Sequence, residues 1–473
     1  MPTVSVPLFS EVYRNVDETT AKDTSWELIN GYRNDLLAIN SRPGLSIVGT
    51  FNPSKGLAIT GTYWWDRSKL LVVTAGEKLS VLSFNGSNFT IVDLTSDALN
   101  QSGKTSFASD GTYIFAANGG RIVYTNGTAS TAYIADADCP TTVTHIGWLD
   151  GYLLALSDDV VYYSDVNDAF TWIATDFFTT PGNPDKAIAM AIWRREIYLF
   201  GTSSIEIWEN DGETPFSRVP GGFISVGCIA PDSIVETESG LYWLDSNRRF
   251  SRFTSRVPEV ISSAYDKEIQ TFGDVSTCSG FRMLIEGSEF LVWSFPSANR
   301  TLVYNPRTQD WYEWGSWDSR TATYSRYLGS VGAICPAWGM VLVGEYSQPY
   351  LYVADPEQNT DNGNTIRVSR RSGHISYNTL RNKRSNELRF RLRRGDQGNS
   401  YTDPPSVMFR WRDDNRPTWS NEQQISLGAP GQSDIVYKTH RNGVFRTRQY
   451  ELSFSADAKF ILSEAEEDID ILR

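Results

Sequence analysis

The chain has 473 residues, is 40% hydrophobic and 13% aromatic, and carries a net charge of −13. That length buries a sizeable core and accommodates about two to four domains. The acidic balance excludes non-specific attraction of nucleic acid to the chain as a whole, and no run approaches the roughly 18 unbroken apolar residues that membrane insertion through a helix needs.

From the N-terminus, MPTVSVPLFSEVYRN has no basic region followed by an apolar block, so no secretory signal is expected and the protein is used without export by that route. Residues 1–60 read as an irregular segment with short strands, punctuated by Asn30-Gly31, Pro43-Gly44 and Asn52-Pro53. Residues 61–356 repeat one pattern: an apolar run, a polar turn, a second aromatic-rich run. The first runs are KLLVV from Lys69, YIFAA from Tyr113, YLLAL from Tyr152, IYLFG from Ile197, LYWLD from Leu241, FLVWS from Phe290 and MVLVG from Met340. Their spacing of 39 to 50 residues matches one four-stranded blade of a β-propeller. The expectation is six or seven blades, because one of the seven runs can belong to a neighbouring domain.

Within the repeats, Asn85-Gly86 and Asn126-Gly127 predict hairpin turns. Alternation in Ile205-Glu206-Ile207-Trp208 puts Glu206 and Trp208 on the face opposite the isoleucines. A helix is predicted near 262–272, Ser262 to Phe272, because Ile261, Tyr265, Ile269 and Phe272 share one helical face, with Ser262 or Ser263 as N-cap and Gly273 beyond the C-terminus. Residues 357–366, EQNTDNGNTI, read as a polar linker. Residues 357–473 then predict a separate antiparallel β-sandwich. Leu388-Arg389-Phe390-Arg391-Leu392-Arg393 alternates strictly, and VMFRW, QISLG, DIVYK, QYELSFS and KFILS supply five more strands. The acidic tail SEAEEDIDILR reads as a strand or a frayed end. The fold class is therefore mainly β, a propeller plus a sandwich, with few helices.

Chemistry-bearing patterns are sparse. His145, His374 and His440 lie far apart, and no HExxH, P-loop or GxSxG occurs, so neither metal nor cofactor is expected. Cys139, Cys228, Cys278 and Cys335 are 50 to 89 residues apart and read as buried thiols. Thr202-Ser203-Ser204 after Gly201 reads as a turn between strands. Arg412-Asp413-Asp414-Asn415-Arg416-Pro417-Thr418-Trp419 partly matches a sialidase-type Asp box, a device in which Asp accepts turn N–H groups. Paired carboxylates on a propeller are also the hardware of glycoside hydrolysis, so a carbohydrate-active or carbohydrate-binding propeller stays open. A cellular scaffold propeller is a third reading, against which the WD-repeat dipeptides are missing.

Charge is segregated. Residues 1–366 hold 24 Lys/Arg against 42 Asp/Glu, net −18, whereas residues 367–449 hold 17 against 7, net +10. The basic stretch is concentrated in Arg367, Arg370, Arg371, Arg381, Lys383, Arg384, Arg389, Arg391, Arg393 and Arg394, with Glu387 the one acid among them. A subunit or partner interface, a solvated face and nucleic-acid contact are the three readings of this segment. An acidic body near passing DNA repels phosphate and lets the duplex slide.

Several segments together resemble the tail hub (nozzle) proteins of short-tailed phages, the packaged DNA stabilisation family. They are Leu28-Ile29-Asn30-Gly31-Tyr32 with Ser41-Arg42-Pro43-Gly44-Leu45; Phe200-Gly201-Thr202-Ser203-Ser204-Ile205-Glu206-Ile207-Trp208 with Asn210-Asp211-Gly212; Leu392-Arg393-Arg394-Gly395-Asp396-Gln397-Gly398; Val407-Met408-Phe409-Arg410-Trp411 to Trp419-Ser420 with Leu427-Gly428 and Gly431; and Val444-Phe445-Arg446-Thr447-Arg448. Order and spacing carry the likeness. The resemblance implies a non-enzymatic virion tail protein: a homohexameric ring below the head-to-tail connector. Such a ring extends the channel for double-stranded DNA without sequence specificity, retains packaged DNA and carries a tail needle, fibres or tailspikes. It also implies a platform built from N- and C-terminal segments, for which the ten basic residues are the candidate subunit or connector interface. Charge reversal at Arg389, Arg391 and Arg393 is then expected to weaken assembly.

Overall fold

The computed structural model describes residues 3–6, 8, 27–34, 36, 38–51, 58–94, 97–100, 103–128, 130–179, 185–212, 215–394, 405–414, 416–427 and 434–472, without the side chains of Arg393, Arg394 and Asp434. Asn52-Pro53, Gly395 to Gly398, Asn415, Gly428 and Gly431 lie outside the described residues. The chain divides into two compact units, 47–299 with 328–353, and 1–46 with 300–327 and 354–473. The boundaries expected at 60 and 356 therefore fall at 46 and 353, and residues 300–327 join the platform rather than the propeller.

The first unit is a six-bladed β-propeller. Five blades are consecutive antiparallel meanders, beginning with Ile59–Trp65, Ser106–Ser109, Val143–Leu149, Ala187–Trp193 and Val235–Glu236. The sixth places Gly329–Cys335, Met340–Glu345 and Tyr350–Asp355 beside Gly44–Thr50 from near the start of the chain, so early and late residues share one blade. Phe51 N–H donates to the Pro349 carbonyl at 2.9 Å at this junction. A hairpin, Ser279–Ile285 with Ser288–Phe295, sits between the fifth and sixth blades in chain order.

The apolar runs that set the repeat are mostly the second strands of blades. Leu153, Leu154, Ala155 and Leu156 are all fully buried, as are Leu241, Trp243 and Leu244. A strand sandwiched between neighbouring blades is covered on both faces, so it reads as a continuous apolar run. The same reason buries both faces of Ile205–Glu209; Glu206 and Trp208 do share a face, and Trp208 Nε1 donates to Glu206 Oε2 at 3.2 Å. Gly86 and Gly127 turn at φ +96° and +79°, while Asn85 and Asn126 act through side chains that accept the following N–H groups.

The predicted helix is shorter than expected. It spans Asp266–Thr271, with Tyr265 at the N-cap. Ser262 does not cap it, because its hydroxyl accepts Phe250 N–H and donates to Asp266. Tyr265, Ile269 and Phe272 are its buried side.

The second unit holds two sheets. One runs Gly31–Arg33, Ile39–Ser41, Phe460–Ile471, Lys383–Arg394, Asp434–His440. The other contributes Arg300–Asn305, Asp310–Asp318, Glu27–Ile29, Val368–Arg371, Arg448–Phe454, Ser406–Asp413 and Gln423–Ser426. Among the described residues of these two sheets pairing is antiparallel except at Ile29 with Glu313, and Asp361 elsewhere in the unit pairs in parallel with Leu45. Phe390 meets Phe409 at 4.9 Å and Phe454 meets Phe460 at 5.3 Å, which joins the inner faces. The stretch expected as a polar linker is ordered by a small hairpin of Thr360–Asp361 and Asn364–Thr365, in which Asp361 is buried. The acidic tail is a strand through Ile471.

Candidate assembly interface

Strand Lys383–Arg394 has the predicted alternation, with Leu388, Phe390 and Leu392 fully buried. Its arginines meet acids of the same chain. The neighbouring strand Phe460–Ile471 sets Glu464 opposite Arg391, Glu466 opposite Arg389 and Asp470 opposite Arg384. Arg391 Nη1 lies 3.2 Å from Glu464 Oε2, and Arg389 Nη2 lies 3.1 Å from Asp468 Oδ2. Arg389 also pairs with Glu387, which Lys438 approaches at 3.2 Å. The acidic tail and the basic strand thus form an internal charge ladder.

The other predicted residues divide sharply. Arg370 is buried and donates to the Leu8 carbonyl, at 2.9 Å from Nε. Arg371 bridges Glu27 and Glu451, at 2.9 and 2.8 Å. Arg367 stacks on Trp317 and donates to Ser453 Oγ. Lys383 is fully buried, its Nζ donating to the carbonyls of Thr379 and Arg381 at 2.6 and 2.9 Å, and burial lowers its pKa. Arg381 and Arg384 are exposed. The backbones of Arg393 and Arg394 pair with Ile461 and Phe460.

Segments that carried the family resemblance hold buried polar clusters. Arg42 is 1% exposed; its guanidinium pairs with Asp361, donates to Asn30 Oδ1 at 2.9 Å, and lies 4.8 Å from the Tyr327 ring. Arg448 and Glu467 are both fully buried, with Arg448 Nε 2.6 Å from Asp413 Oδ1. Tyr377 and Tyr450 each donate to Glu467 Oε2 at 2.6 Å. Sequence reasoning missed Glu467, although period two from Ala465 and Ile469 marks it as inward. Asp414 accepts the N–H groups of Arg446 and Thr447 at 2.8 and 3.0 Å, the turn-holding role expected of an Asp box. Thr202, Ser203 and Ser204 direct six N–H and O–H donors at Asp185, which holds that carboxyl near a pKa of about 2 against partial burial.

In the propeller unit, cavities of about 480 and 740 Å³ line the inner strands and share Tyr63 and Glu236. Lys104, Arg194 and Arg282 are balanced there by Asp232, Glu236 and Glu238. Burial drives His145 down to about 4 and Glu236 up to about 7. The three acids come from one stretch of one blade, 232–238. Among the described residues no group of His, Cys, Asp and Glu is placed to hold a metal, and no helix is long and apolar enough to cross a membrane. All four cysteines are free and buried.

A family model described as "Bacteriophage P22 Gp10, beta-propeller" matches residues 39–359. The chain belongs to the P22 Gp10 family. It is therefore a member of a phage stabilisation family, whose virion-tail setting points to a structural rather than catalytic role. No curated protein matches the chain. Among solved structures, the computationally designed Ika8 protein is 12% identical, with a TM-score of 0.36 over 66% of this chain and 100% of its own. PorZ of Porphyromonas gingivalis is 10% identical, with a TM-score of 0.39 over 78% of this chain and 45% of its own. The extracellular domain of the hybrid two-component system BT4673 from B. thetaiotaomicron is 10% identical, with a TM-score of 0.45 over 91% and 61%. This chain thus spans about half of PorZ and under two thirds of the BT4673 domain. With TM-scores below 0.5, these likenesses carry no functional argument.

Proposed function

We propose that this Gp10-family protein is the tail hub, or nozzle, of a short-tailed phage. It forms a homohexameric ring below the head-to-tail connector, extends the channel for double-stranded DNA, helps to retain the packaged genome, and carries a tail needle, fibres or tailspikes. The family match over residues 39–359 carries this reading. A second unit that combines residues 1–46 with 300–327 and 354–473 suits the platform of N- and C-terminal segments that this reading implies. The propeller unit holds 16 Lys/Arg against 30 Asp/Glu, net −14, which suits a body that repels passing phosphate. The test is electron microscopy of the protein co-expressed with its connector. Six-fold rings stacked under the connector are expected; discs that never join it would overturn the reading.

Carbohydrate binding is the second reading. Tyr63, Trp64 and Trp148 line the propeller cavities beside Asp232 and Glu236, an aromatic and carboxylate mixture that suits sugars. Glycan-array binding lost in Trp148→Ala would favour it.

A further inference from the structure

Five exposed arginines gather at one end of the platform unit: Arg381, Arg384, Arg416, Arg441 and Arg446. Their segments are tied together by backbone and side-chain bonds. Arg384 is in register with Val444, Arg441 N–H donates to the Asn386 carbonyl at 3.2 Å, and Arg446 Nε donates to Asn382 Oδ1 at 3.3 Å. Asp414 N–H donates to the Thr447 carbonyl at 2.9 Å, and Leu472 N–H to the Asn382 carbonyl at 2.8 Å. Unlike Arg389 and Arg391, these five form no ion pair with a described residue; Asp470 stands opposite Arg384 but accepts from Asn386 Nδ2 at 2.9 Å. Asp414 feels Arg416 and Arg446, but its Oδ1 is taken by two backbone N–H groups. Three large apolar side chains stand among the arginines: Leu380, Val444 and Ile471, 74%, 46% and 52% exposed. Phosphate contact needs the arginines alone. Arginines around an exposed aliphatic centre describe a protein-binding patch.

The complementary surface lies in the same sequence. Between Arg121 and Lys186 there are nine Asp and no Lys or Arg. The blade in the middle of that stretch, Val143–Leu149 to Asp168–Thr179, displays Asp158, Asp159, Asp165 and Asp176 without an ion pair among the described residues. Its outermost strand and adjoining turn also expose Val166, Ile173 and Phe177, at 54%, 46% and 47%. We propose that the arginine patch of one copy docks on this acidic, apolar blade of a second copy. The contact is heterologous, joining different surfaces, so it closes into a ring or extends into a filament according to the rotation it imposes. It rests on the ring reading above and supplies that reading with a contact, in place of the internally paired Arg389 and Arg391.

The test uses the full chain in sedimentation velocity at low and physiological ionic strength. Self-association that weakens with salt is expected. Arg384→Glu with Arg441→Glu, and separately Asp158→Lys with Asp176→Lys, should each weaken it about 10-fold or more, and mixing the two variants should restore it. Circular dichroism matching the wild type shows that each variant is folded. A wild type that stays monomeric, or arginine variants that associate unchanged, would overturn the proposal. Loss of duplex DNA binding in the arginine variant with self-association intact would reassign the patch to nucleic acid. Co-expression with the connector separates the two ideas: rings formed by the variants sink this contact and spare the ring, whereas a wild type that forms no rings sinks the ring reading itself.

Discussion

Asp185 shows how a short polar turn is fixed at the residue scale. Six donors from Thr202, Ser203 and Ser204 converge on its two oxygens and depress its pKa to about 2. A carboxyl with a folded pKa below its unfolded value stabilises the fold above the unfolded pKa, and that contribution is lost as pH falls through the folded one. Asp185→Ala should therefore cost about 1–2 kcal/mol at neutral pH, with solvent screening of a partly exposed group taken into account. The gap to wild type in urea midpoint should narrow as pH falls below about 5 and vanish only at about pH 1, below the folded pKa. A pH-independent gap would show that the donors do not act on the ionised form. The Arg42–Asp361 pair is a sterner case, because both partners are buried. Asp361→Asn keeps the shape and strands a buried guanidinium, so a loss of about 3–5 kcal/mol is expected. Arg42→Met combined with Asp361→Leu should recover much of it. A single variant as stable as wild type would mean that Asn30 and the Gly315 carbonyl suffice for Arg42.

At the element scale, the strands were legible where one face is apolar and the other polar. Lys383–Arg394 was readable from Leu388, Phe390 and Leu392 because alternation is a local signal. The second blade strands were readable because burial on both faces leaves an unbroken apolar run. Partners were not readable. Nothing local tells Arg389 that Asp468, 79 positions later, stands beside it, so the ladder within the chain was not legible. Nor does a period show that residues 300–327 belong to the second compact unit: Trp311, Tyr312 and Trp314 are as aromatic as any blade strand. The polar stretch 357–366 misled for a third reason, since Asp361 is buried only because Arg42, some 320 residues earlier, meets it. The strand Phe460–Ile471 is the centre of its sheet, pairing with Lys383–Arg394, Ile39–Ser41 and Thr3–Ser5. Removing residues 460–473 should expose Leu388, Phe390 and Leu392 and take the Glu467 acceptor away from Tyr377 and Tyr450. Limited proteolysis should then cleave within 383–454 at rates at least tenfold above wild type, because local opening sets access. Equal protection would show that the remaining strands hold the platform without it.

At the scale of the whole molecule, charge is partitioned between the units. The propeller unit is −14, and the other unit, with 27 Lys/Arg against 26 Asp/Glu, is nearly neutral. Within that second unit several cations are spent on partners in the same chain: Arg42, Arg370, Arg371, Arg389, Arg391 and Arg448. Counterion release from DNA scales with the number of phosphates a protein neutralises, and internal pairing lowers the number of cations available for it. The full chain should accordingly fail to retain random duplex DNA at about 0.15 M salt, where basic proteins of this size still bind. Among the described residues the exposed arginine patch is a place that can oppose this expectation, so the comparison that decides is wild type against Arg384→Glu with Arg441→Glu in the same electrophoretic shift assay. Equal absence of binding places the patch outside DNA contact and leaves the acidic propeller as the surface DNA would meet, a wall that repels rather than holds. Retention by the wild type, with a steep fall as salt rises and loss in the variant, would mean that the protein grips DNA directly. Genome retention would then be a matter of adhesion rather than of a closed channel.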